Sequence, residues 1–364
     1  MSIRLTIPTI DDDEISKVAE VLRSGYLVQG KYVQKFEQLV AEYLGIKYAI
    51  AVSSGTAALH LALLILDIGP VDEVIIPDFT FPATANVVSL TKALAVPVDI
   101  DLETFNIDIG KIESLISKRT KAIMPVHLFG NPADMNPILQ IADKYNLSVI
   151  EDAACALGAK YYEKKCGTIG NIGCFSFHPR KIITTGEGGM IVTNDAILAN
   201  KARRLRNHGV RRVAGQNVFE MVGYNYRMTD FQGALGMIQM KRLEEIIGRR
   251  IELANLYNNK FEGISSIGCP KRKKEMRHTW QSYVILLNKK IDRNAFMAHL
   301  KTSGIETAIG TYAVSCQPCY NKKNRVLPNS LFAYKQGVCL PLYPKMTVED
   351  IAEVVRYVKA FIPR

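Results

Sequence analysis

The sequence lacks the features of a membrane, secreted or disordered protein. No apolar run approaches the roughly 20 residues that a spanning helix needs, and LALLIL at 61–66 fits part of an amphipathic helix. There is no internal repeat, no low-complexity tract and no linker rich in proline, glycine or serine. The N-terminal residues turn acidic where a secretory signal needs an apolar core. We therefore expect a protein that neither contacts nor crosses a membrane.

The cysteines show no disulfide pattern. They number seven and are scattered along the chain, which favours a reducing cytoplasm over secretion. Hydrophobic residues make up 48% and charged residues 22% of the 364 positions, an ordinary globular composition that favours two domains. The net charge of +11 suits an anionic ligand. No nucleic-acid-binding motif accompanies the basic runs at 271–274, 288–290 and 321–325, so we expect no nucleic-acid partner.

Short apolar runs separated by polar or glycine-rich turns recur from about residue 48 to 194. Most are continuous and β-branched, as in strands buried on both faces of a mainly parallel sheet. Helical stretches such as 55–66 and 136–146 lie between several of them, which predicts a doubly wound α/β domain. The runs are 48–54, 73–79, 93–101, 121–130, 147–154, 173–178 and 189–195.

Ligands of such sheets bind beyond the carboxyl ends of the strands. The polar residues that end the runs are therefore the candidates for a site. They are Ser53, Ser54, Asp78, His127, Asp152, Ser176 and His178.

The pattern changes after about residue 230. Residues 231–261 form one or two long amphipathic helices in our interpretation, and a second α+β region follows. We predict a large α/β domain over 1–250 and a smaller α+β domain over 251–364. The segments of the second region are strands at 279–287 and 338–343 and helices at 293–304 and 347–361.

The segment FSFHPRKIITTGEGG (175–189) carries the most chemical information. An apolar strand ends in Ser176 and His178, Lys181 follows, and a glycine-rich turn closes the segment. A lysine held in a partly desolvated pocket loses proton affinity and becomes an amine nucleophile. Taken alone, such a lysine is more often a solvated surface residue.

Two further segments support the nucleophile hypothesis. Asp152 ends a strongly apolar strand, where a buried carboxylate needs a cationic partner, although capping of a following helix is an alternative. Residues 53–56 (SSGT) join a strand to a helix start whose free amides can bind an anion, and plain capping is again the alternative. A phosphate anchor, a carboxylate for a ring nitrogen and an imine-forming lysine match the needs of pyridoxal 5′-phosphate (PLP).

These residues resemble the DegT/StrS-type nucleotide-sugar aminotransferases, a family of fold-type-I PLP-dependent enzymes. The resemblance covers almost the whole chain, and the order and spacing of its motifs make coincidence improbable. It is carried by residues 24–45, 53–59, 77–86, 125–135, 151–159, 175–189, 206–209, 223–236 and 340–347.

The resemblance implies a role for each matching residue. Lys181 would hold PLP as an imine and shuttle a proton, and Asp152 would keep the pyridine nitrogen protonated. Gly55, Thr56 and Ser176 would bind the cofactor phosphate.

Other carried-over residues would lie around the ring and the substrate. Phe81 would stack on the ring, and Asn225 would reach the phosphate of the neighbouring subunit, which implies a homodimer. His127, Arg227 and Tyr312 would border the substrate, although His127 and Arg227 could equally be structural hydrogen-bonding residues.

Two positions depart from the family pattern. Cys155 stands where the family usually has Gln or His beside the cofactor, and a thiol cannot donate comparably to the phenolic oxygen. Ser315 replaces a usual histidine in the segment near the sugar, so the sugar cannot be inferred from the resemblance.

The implied reaction is a ping-pong transamination. An amino acid, most often L-glutamate, gives its amino group to the cofactor, which passes it to a keto group on a hexose carried by a nucleoside diphosphate. One alternative is a PLP- or PMP-dependent keto-sugar dehydratase, but those relatives have a histidine where Lys181 stands. An aminotransferase for a cyclitol or other antibiotic precursor and a non-catalytic sensor are the further alternatives.

Overall fold

A seven-stranded sheet forms the centre of the larger part of the chain. The computed structural model describes residues 2–320 and 327–362, so the basic run at 321–325 lies outside the described residues. The helices are α1 (Asp12–Ser24), α2 (Lys31–Leu44), α3 (Gly55–Ile65), α4 (Ala83–Leu90), α5 (Met135–Tyr145), α6 (Ala196–Arg206), α7 (Asp230–Lys241), α8 (Leu243–Phe261), α9 (Arg293–Thr302), α10 (Pro328–Gln336) and α11 (Val348–Phe361). The strands are β1 (Tyr48–Val52), β2 (Glu73–Pro77), β3 (Phe79–Thr80), β4 (Leu94–Val98), β5 (Thr120–Ile123), β6 (Ser148–Asp152), β7 (Lys160–Tyr161), β8 (Lys164–Lys165), β9 (Ile172–Ser176), β10 (Gly189–Thr193), β11 (Val210–Val213), β12 (Gln216–Phe219), β13 (Ile267–Gly268), β14 (Tyr283–Leu287), β15 (Ala308–Ile309), β16 (Tyr312–Ala313) and β17 (Gly337–Leu340).

The large sheet has the order β1–β10–β9–β6–β5–β2–β4. Strand β10 is antiparallel to both of its neighbours, and the other neighbouring pairs are parallel. Each of these strands matches one of the apolar runs, so the prediction of a mainly parallel α/β sheet is confirmed.

Both faces of this sheet are buried, which explains why its strands read as continuous apolar runs. Along β1, Ala49 and Ala51 pack into a core that includes residues of α2 and α5. Ile50 and Val52 of the same strand pack into a second core with residues of α3, α4 and α6. The helices therefore cover the sheet on two sides, as a doubly wound fold requires.

A smaller antiparallel sheet with the order β13–β14–β17–β15 packs against α9 and α11 around its own core. Helix α8 joins the two regions, since Ile247 lies in a core of the large sheet and Leu253 in the core of the small one. The predicted division at 250/251 thus falls within a continuous helix and stays a prediction. The N-terminal Ile3 also packs into the small core and exchanges backbone hydrogen bonds with Gly304 and Glu306.

Strands β3 and β16 connect the two regions near the edge of the large sheet. They pair antiparallel, with Tyr312 opposite Thr80 and Ala313 opposite Phe79. This pairing brings a segment of the C-terminal region beside Phe81. Among the residues that the structure describes, no helix combines the length and apolar character needed to cross a bilayer.

Candidate active site

Three strand ends meet at the carboxyl edge of the large sheet. Val52 of β1 lies opposite Gly189, and Gly189 lies opposite Ser176 at the end of β9. Strand β9 also pairs with β6, where Cys174 is opposite Asp152. The sheet order therefore brings the start of α3, Ser176 and Asp152 to one edge, where a ligand of this fold class binds.

The start of α3 offers backbone amides to an anion. Ser54 caps the helix by accepting a hydrogen bond from the Ala57 amide at 3.1 Å. The Gly55 and Thr56 amides, which precede Ala57, donate to no acceptor within residues 2–320 and 327–362. Free amides and the positive end of a helix favour a phosphate at this point.

Two glycines allow the start of α3 to lie against the end of β9. A Cβ atom on Gly55 would come within 2.7 Å of the Ser176 Cβ, and one on Gly189 within 2.2 Å of the Ser54 carbonyl oxygen. Neither space accommodates a side chain. The two amides and the Ser176 hydroxyl consequently form one small polar cradle.

Asp152 is a buried carboxylate with only neutral hydrogen-bond donors. Its side chain accepts from the Thr84 hydroxyl at 2.9 Å and from the Ala154 amide at 3.2 Å, and the residue is 4% exposed. It takes part in no ion pair in the described part of the chain. Burial raises the pKa of this carboxyl, while Thr84, Ala154 and the nearby Lys181 ammonium act in the opposite direction.

The capping alternative for Asp152 does not hold. Residues 153–159 form turns and no α-helix follows the strand. The contact with the Ala154 amide is a local turn contact of the kind that aspartate commonly makes. A buried carboxylate at this position can accept a hydrogen bond from a protonated ring nitrogen and balance its charge.

The Lys181 side chain points toward Asp152 and its neighbours. The loop between β9 and β10 is held by buried Ile182 and Ile183 and by a hydrogen bond from the Thr184 hydroxyl to the Phe177 carbonyl at 2.9 Å. Within it, the half-buried Lys181 Nζ donates to the Cys155 Sγ at 3.1 Å. This geometry differs from that of a solvated surface lysine.

The residues at this edge fit PLP. The cradle of amides and a hydroxyl suits its phosphate, the Asp152 carboxylate suits a pyridine N–H, and the Lys181 amine suits an aldehyde. This fit depends on two observations among the described residues: the Gly55 and Thr56 amides have no acceptor, and Asp152 forms no ion pair.

Aromatic side chains lie at the outer side of the edge. Phe81 is 63% exposed and directly precedes the first turn of α4, the helix that carries Thr84. Its ring centroid is 6.4 Å from that of Tyr312, at an interplanar angle of 66°. The structure thus brings together two residues that are far apart in the sequence.

His127 occupies a different environment from the one expected for a substrate residue. It is completely buried. Its Nε2–H donates to Glu151 at 2.8 Å, and its Nδ1 accepts from the Ala133 amide at 3.0 Å. Both ring nitrogens are occupied inside the protein, which favours the structural alternative for His127.

Asn225 and Arg227 lie on a segment beside β1. The Ser53 amide donates to the Tyr226 carbonyl at 2.8 Å, Asn225 is exposed, and the Arg227 guanidinium donates to the Asn207 side chain at 2.5 Å. Neither side chain has a hydrogen bond with Asp152 or Lys181 in the parts of the chain that the structure covers.

Comparisons with known proteins match this architecture. The profile of the DegT/DnrJ/EryC1/StrS aminotransferase family matches residues 8–359. The GDP-perosamine synthase of Caulobacter vibrioides is 40% identical over 97% of this chain and 96% of that protein. The spore coat polysaccharide biosynthesis protein SpsC of Bacillus subtilis is 39% identical over 98% of this chain and 96% of that protein.

A solved structure shows the same fold. DesV of S. venezuelae superposes with a TM-score of 0.93 at 32% identity, covering 100% of this chain and 99% of that one. The chain belongs to the DegT/DnrJ/EryC1/StrS aminotransferase family. It is a PLP-dependent transaminase of fold type I, so the family, cofactor and enzyme class expected from the resemblance are confirmed.

Some residues of this aminotransferase site were not found by sequence reasoning. Thr84 donates to Asp152 but was not predicted as a site residue. The one sequence feature that could have indicated it is its place at the start of α4, four residues after Thr80. Glu151 was also missed. Successive residues of a strand point to opposite faces, so Glu151 faces His127 while Asp152 faces Thr84.

Proposed function

We propose that this aminotransferase transfers the amino group of an amino acid, L-glutamate first, to the keto group of a nucleotide-diphosphate keto sugar. The product would serve amino-sugar synthesis for a surface polysaccharide or another glycan. The proposal depends on the meeting of the α3 amides, Ser176, Asp152 and Lys181 at one sheet edge.

The names of the relatives support the acceptor class. One is a GDP-perosamine synthase and another a spore coat polysaccharide biosynthesis protein, and both match nearly the whole chain. The net charge of +11 is consistent with a substrate that carries a diphosphate. We place GDP-linked sugars first among the candidates, followed by UDP- and dTDP-linked sugars.

Lys181 and Asp152 would act on protons in this reaction. Bound PLP supplies an electron sink for the negative charge that develops at the substrate carbon. Lys181 would remove a proton from one face of the substrate and return it. Asp152 would hold the proton of the ring nitrogen, because its buried carboxylate forms no ion pair among the described residues.

The remaining site residues would bind and orient. The Gly55 and Thr56 amides with the Ser176 hydroxyl would hold the phosphate, and Phe81 would stack on the ring. Cys155, which contacts the Lys181 Nζ, would border the cofactor close to its bond with the enzyme.

Tyr312 and Arg227 are proposed to border the substrate. Tyr312 lies beside Phe81, and Arg227 lies on the segment that passes the end of β1.

A homodimer in which Asn225 serves the partner's site is supported by exposed apolar residues on ordered segments. Tyr26 is 82% and Val222 is 91% exposed. The loop that carries Tyr26 is fixed by Asp230, whose carboxylate accepts from the Gly30 amide at 3.1 Å. Val28 of the same loop is 69% exposed, and neighbouring exposed apolar side chains on one loop are typical of an interaction surface.

The activity test uses ¹⁵N-glutamate with GDP-, UDP- and dTDP-linked keto sugars and mass spectrometry of the products. We expect ¹⁵N in one nucleotide sugar with the wild type and none with Lys181→Ala. Loss of water without ¹⁵N would favour the dehydratase alternative, and labelling of a free cyclitol alone would favour the antibiotic-precursor alternative. No labelled product in any arm would contradict the proposal.

The attachment of PLP to Lys181 has its own test. The purified enzyme should show an imine band near the visible edge, and borohydride should abolish it. Peptide mapping should then find the reduced cofactor on Lys181, and finding it on another lysine would contradict the assignment.

The dimer is tested by mixing two inactive variants. Lys181→Ala removes the amine, and Asn225→Asp places a negative charge beside the phosphate. If Asn225 acts in the partner's site, a mixed dimer has one intact site, and random mixing should restore about a quarter of the wild-type activity. No recovery after subunit exchange would show that Asn225 acts within its own subunit or not at all.

A further inference from the structure

Two buried carboxylates beside the cofactor edge have no part in the function described so far. Asp78 directly follows β2 and is completely buried, and Asp99 directly follows β4 and is 1% exposed. Strands β2 and β4 are parallel neighbours, with Pro77 opposite Val98. The two carboxylates therefore lie side by side at the same edge as Asp152.

Two serines of the C-terminal region donate hydrogen bonds to these two carboxylates. Ser315 donates its amide at 2.6 Å and its hydroxyl at 2.9 Å to Asp78. Ser330 donates its amide at 2.8 Å and its hydroxyl at 2.9 Å to Asp99. Asp99 also has a cation, the Lys111 ammonium at 3.2 Å, whereas Asp78 has none in the described ranges. Ser315 donates both its amide and its hydroxyl to Asp78, and the Ser330 hydroxyl also lies near this carboxylate.

The Asp78–Ser315 pair fixes the position of Tyr312. The Asp78 carbonyl accepts from the Val314 amide at 2.8 Å, and the adjoining strands β3 and β16 pair. The backbone from 312 to 315 is consequently attached to the backbone from 78 to 80 at every step. The Tyr312 ring is thereby held beside Phe81, at the exposed side of the cofactor edge.

We propose that Asp78 and Ser315 are positioning residues that set the affinity for the acceptor by holding Tyr312 beside Phe81. The inference rests on the proposed function, in which Tyr312 borders a nucleotide sugar. Ser315 stands where the family usually has a histidine near the sugar, but its side chain faces Asp78 and is buried. In this chain, position 315 acts on the acceptor only through the placement of Tyr312.

The acceptor should depend on this pair more than the donor does. A small amino acid reacts close to Lys181, whereas a sugar that carries a nucleoside diphosphate extends outward past the exposed Phe81. A displacement of Tyr312 therefore changes contacts that only the larger substrate makes.

The test compares Ser315→Ala with Ser117→Ala. Both changes remove one hydroxyl donor from a buried carboxylate, but Ser117 donates to Glu73, at the opposite end of β2 from Asp78. We expect Ser315→Ala to raise the acceptor KM about fivefold or more, with a smaller change in kcat. The single-turnover reaction with glutamate, followed by cofactor absorbance, should be unchanged. Ser117→Ala should leave the acceptor KM within about twofold of wild type.

A conservative variant distinguishes the loss of the hydrogen bond from misfolding of Ser315→Ala. Ser315→Thr keeps the hydroxyl donor and should return the acceptor KM close to the wild-type value. An unchanged KM in Ser315→Ala, or an equal effect on the glutamate reaction, would overturn the inference while the proposed function stands. A wild type that accepts no nucleotide keto sugar would overturn the proposed function and this inference with it.

Discussion

Replacement of Glu151 by Gln should destabilise this aminotransferase although the two side chains have nearly the same shape. Glu151 is completely buried, and its oxygens accept four hydrogen bonds. Oε1 accepts from the Ile169 and Gly170 amides, both at 2.6 Å. Oε2 accepts from the Gly167 amide at 2.7 Å and from the His127 Nε2–H at 2.8 Å.

An amide side chain cannot reproduce this arrangement, because one of the two oxygens becomes an NH₂ group. In either orientation, that group faces two donors. His127 cannot adapt by moving its proton, since its Nδ1 already accepts from the Ala133 amide. Two buried donors lose their acceptors at about 1–3 kcal/mol each, so we expect a loss of about 4 kcal/mol in the free energy of unfolding.

Thermal and urea unfolding measure this loss. A change of about 4 kcal/mol should lower the Tm of a chain of this length by about 5 °C. Glu163→Gln is the matched control, because Glu163 is exposed and its replacement should leave the Tm close to that of the wild type. At a temperature where Glu151→Gln is folded, its acceptor KM should match the wild-type value, since His127 has no access to solvent.

Two outcomes would refute this reasoning. A loss of less than about 1 kcal/mol would show that the carboxylate does not hold the 167–170 turn and His127 as described. A raised acceptor KM with unaltered stability would show that His127 borders the substrate, as the resemblance implies.

Three further predictions concern the cofactor edge. Asp152→Asn should lower the transamination rate far more than PLP affinity in stopped-flow and absorbance titrations, because an amide cannot hold the ring nitrogen protonated; a rate within a few-fold of wild type would contradict this. Gly55→Ala should weaken PLP binding in the same titration, since its Cβ would lie 2.7 Å from that of Ser176, and adding Ser176→Gly should not restore full affinity because the hydroxyl is lost. Burial raises the pKa of Asp78 to about 6, above its unfolded value, so its contribution to stability is full below pH 4 and is lost as the pH rises through 6. Relative to Asp78→Asn, the wild-type free energy of unfolding should fall by about 2 kcal/mol between pH 4 and pH 7, and parallel pH profiles for the two proteins would refute this.

Local sequence patterns predicted most of the elements. Each apolar run between 48 and 195 became a strand of the large sheet, because β-branched runs bounded by turn residues have few other stable conformations. Helix α9 begins after Asp292 as expected, and the Asp292 carboxylate accepts from the Asn294 and Ala295 amides. These features depend on residues within a few positions of one another.

Other features could not be predicted in this way. The antiparallel direction of β10 and the turns at 153–159 in place of a helix have no clear local signal. Glu151 looked like an ordinary strand residue, because its partners at 127 and 167–170 are distant in the sequence.

The sequence by itself determined the kinds of elements, because periodicity and turn residues are local properties of the chain. Its motifs also carried the resemblance to the family, and with it the candidate residues Lys181, Asp152, Gly55, Thr56 and Ser176. Only the tertiary structure decided which distant segments meet. It buried His127 against Glu151, joined Ser315 to Asp78 and brought Tyr312 beside Phe81. Such contacts form because buried carboxylates and strand edges need hydrogen-bond partners, which are the donors that packing brings near. No short stretch of sequence specifies which donors these are.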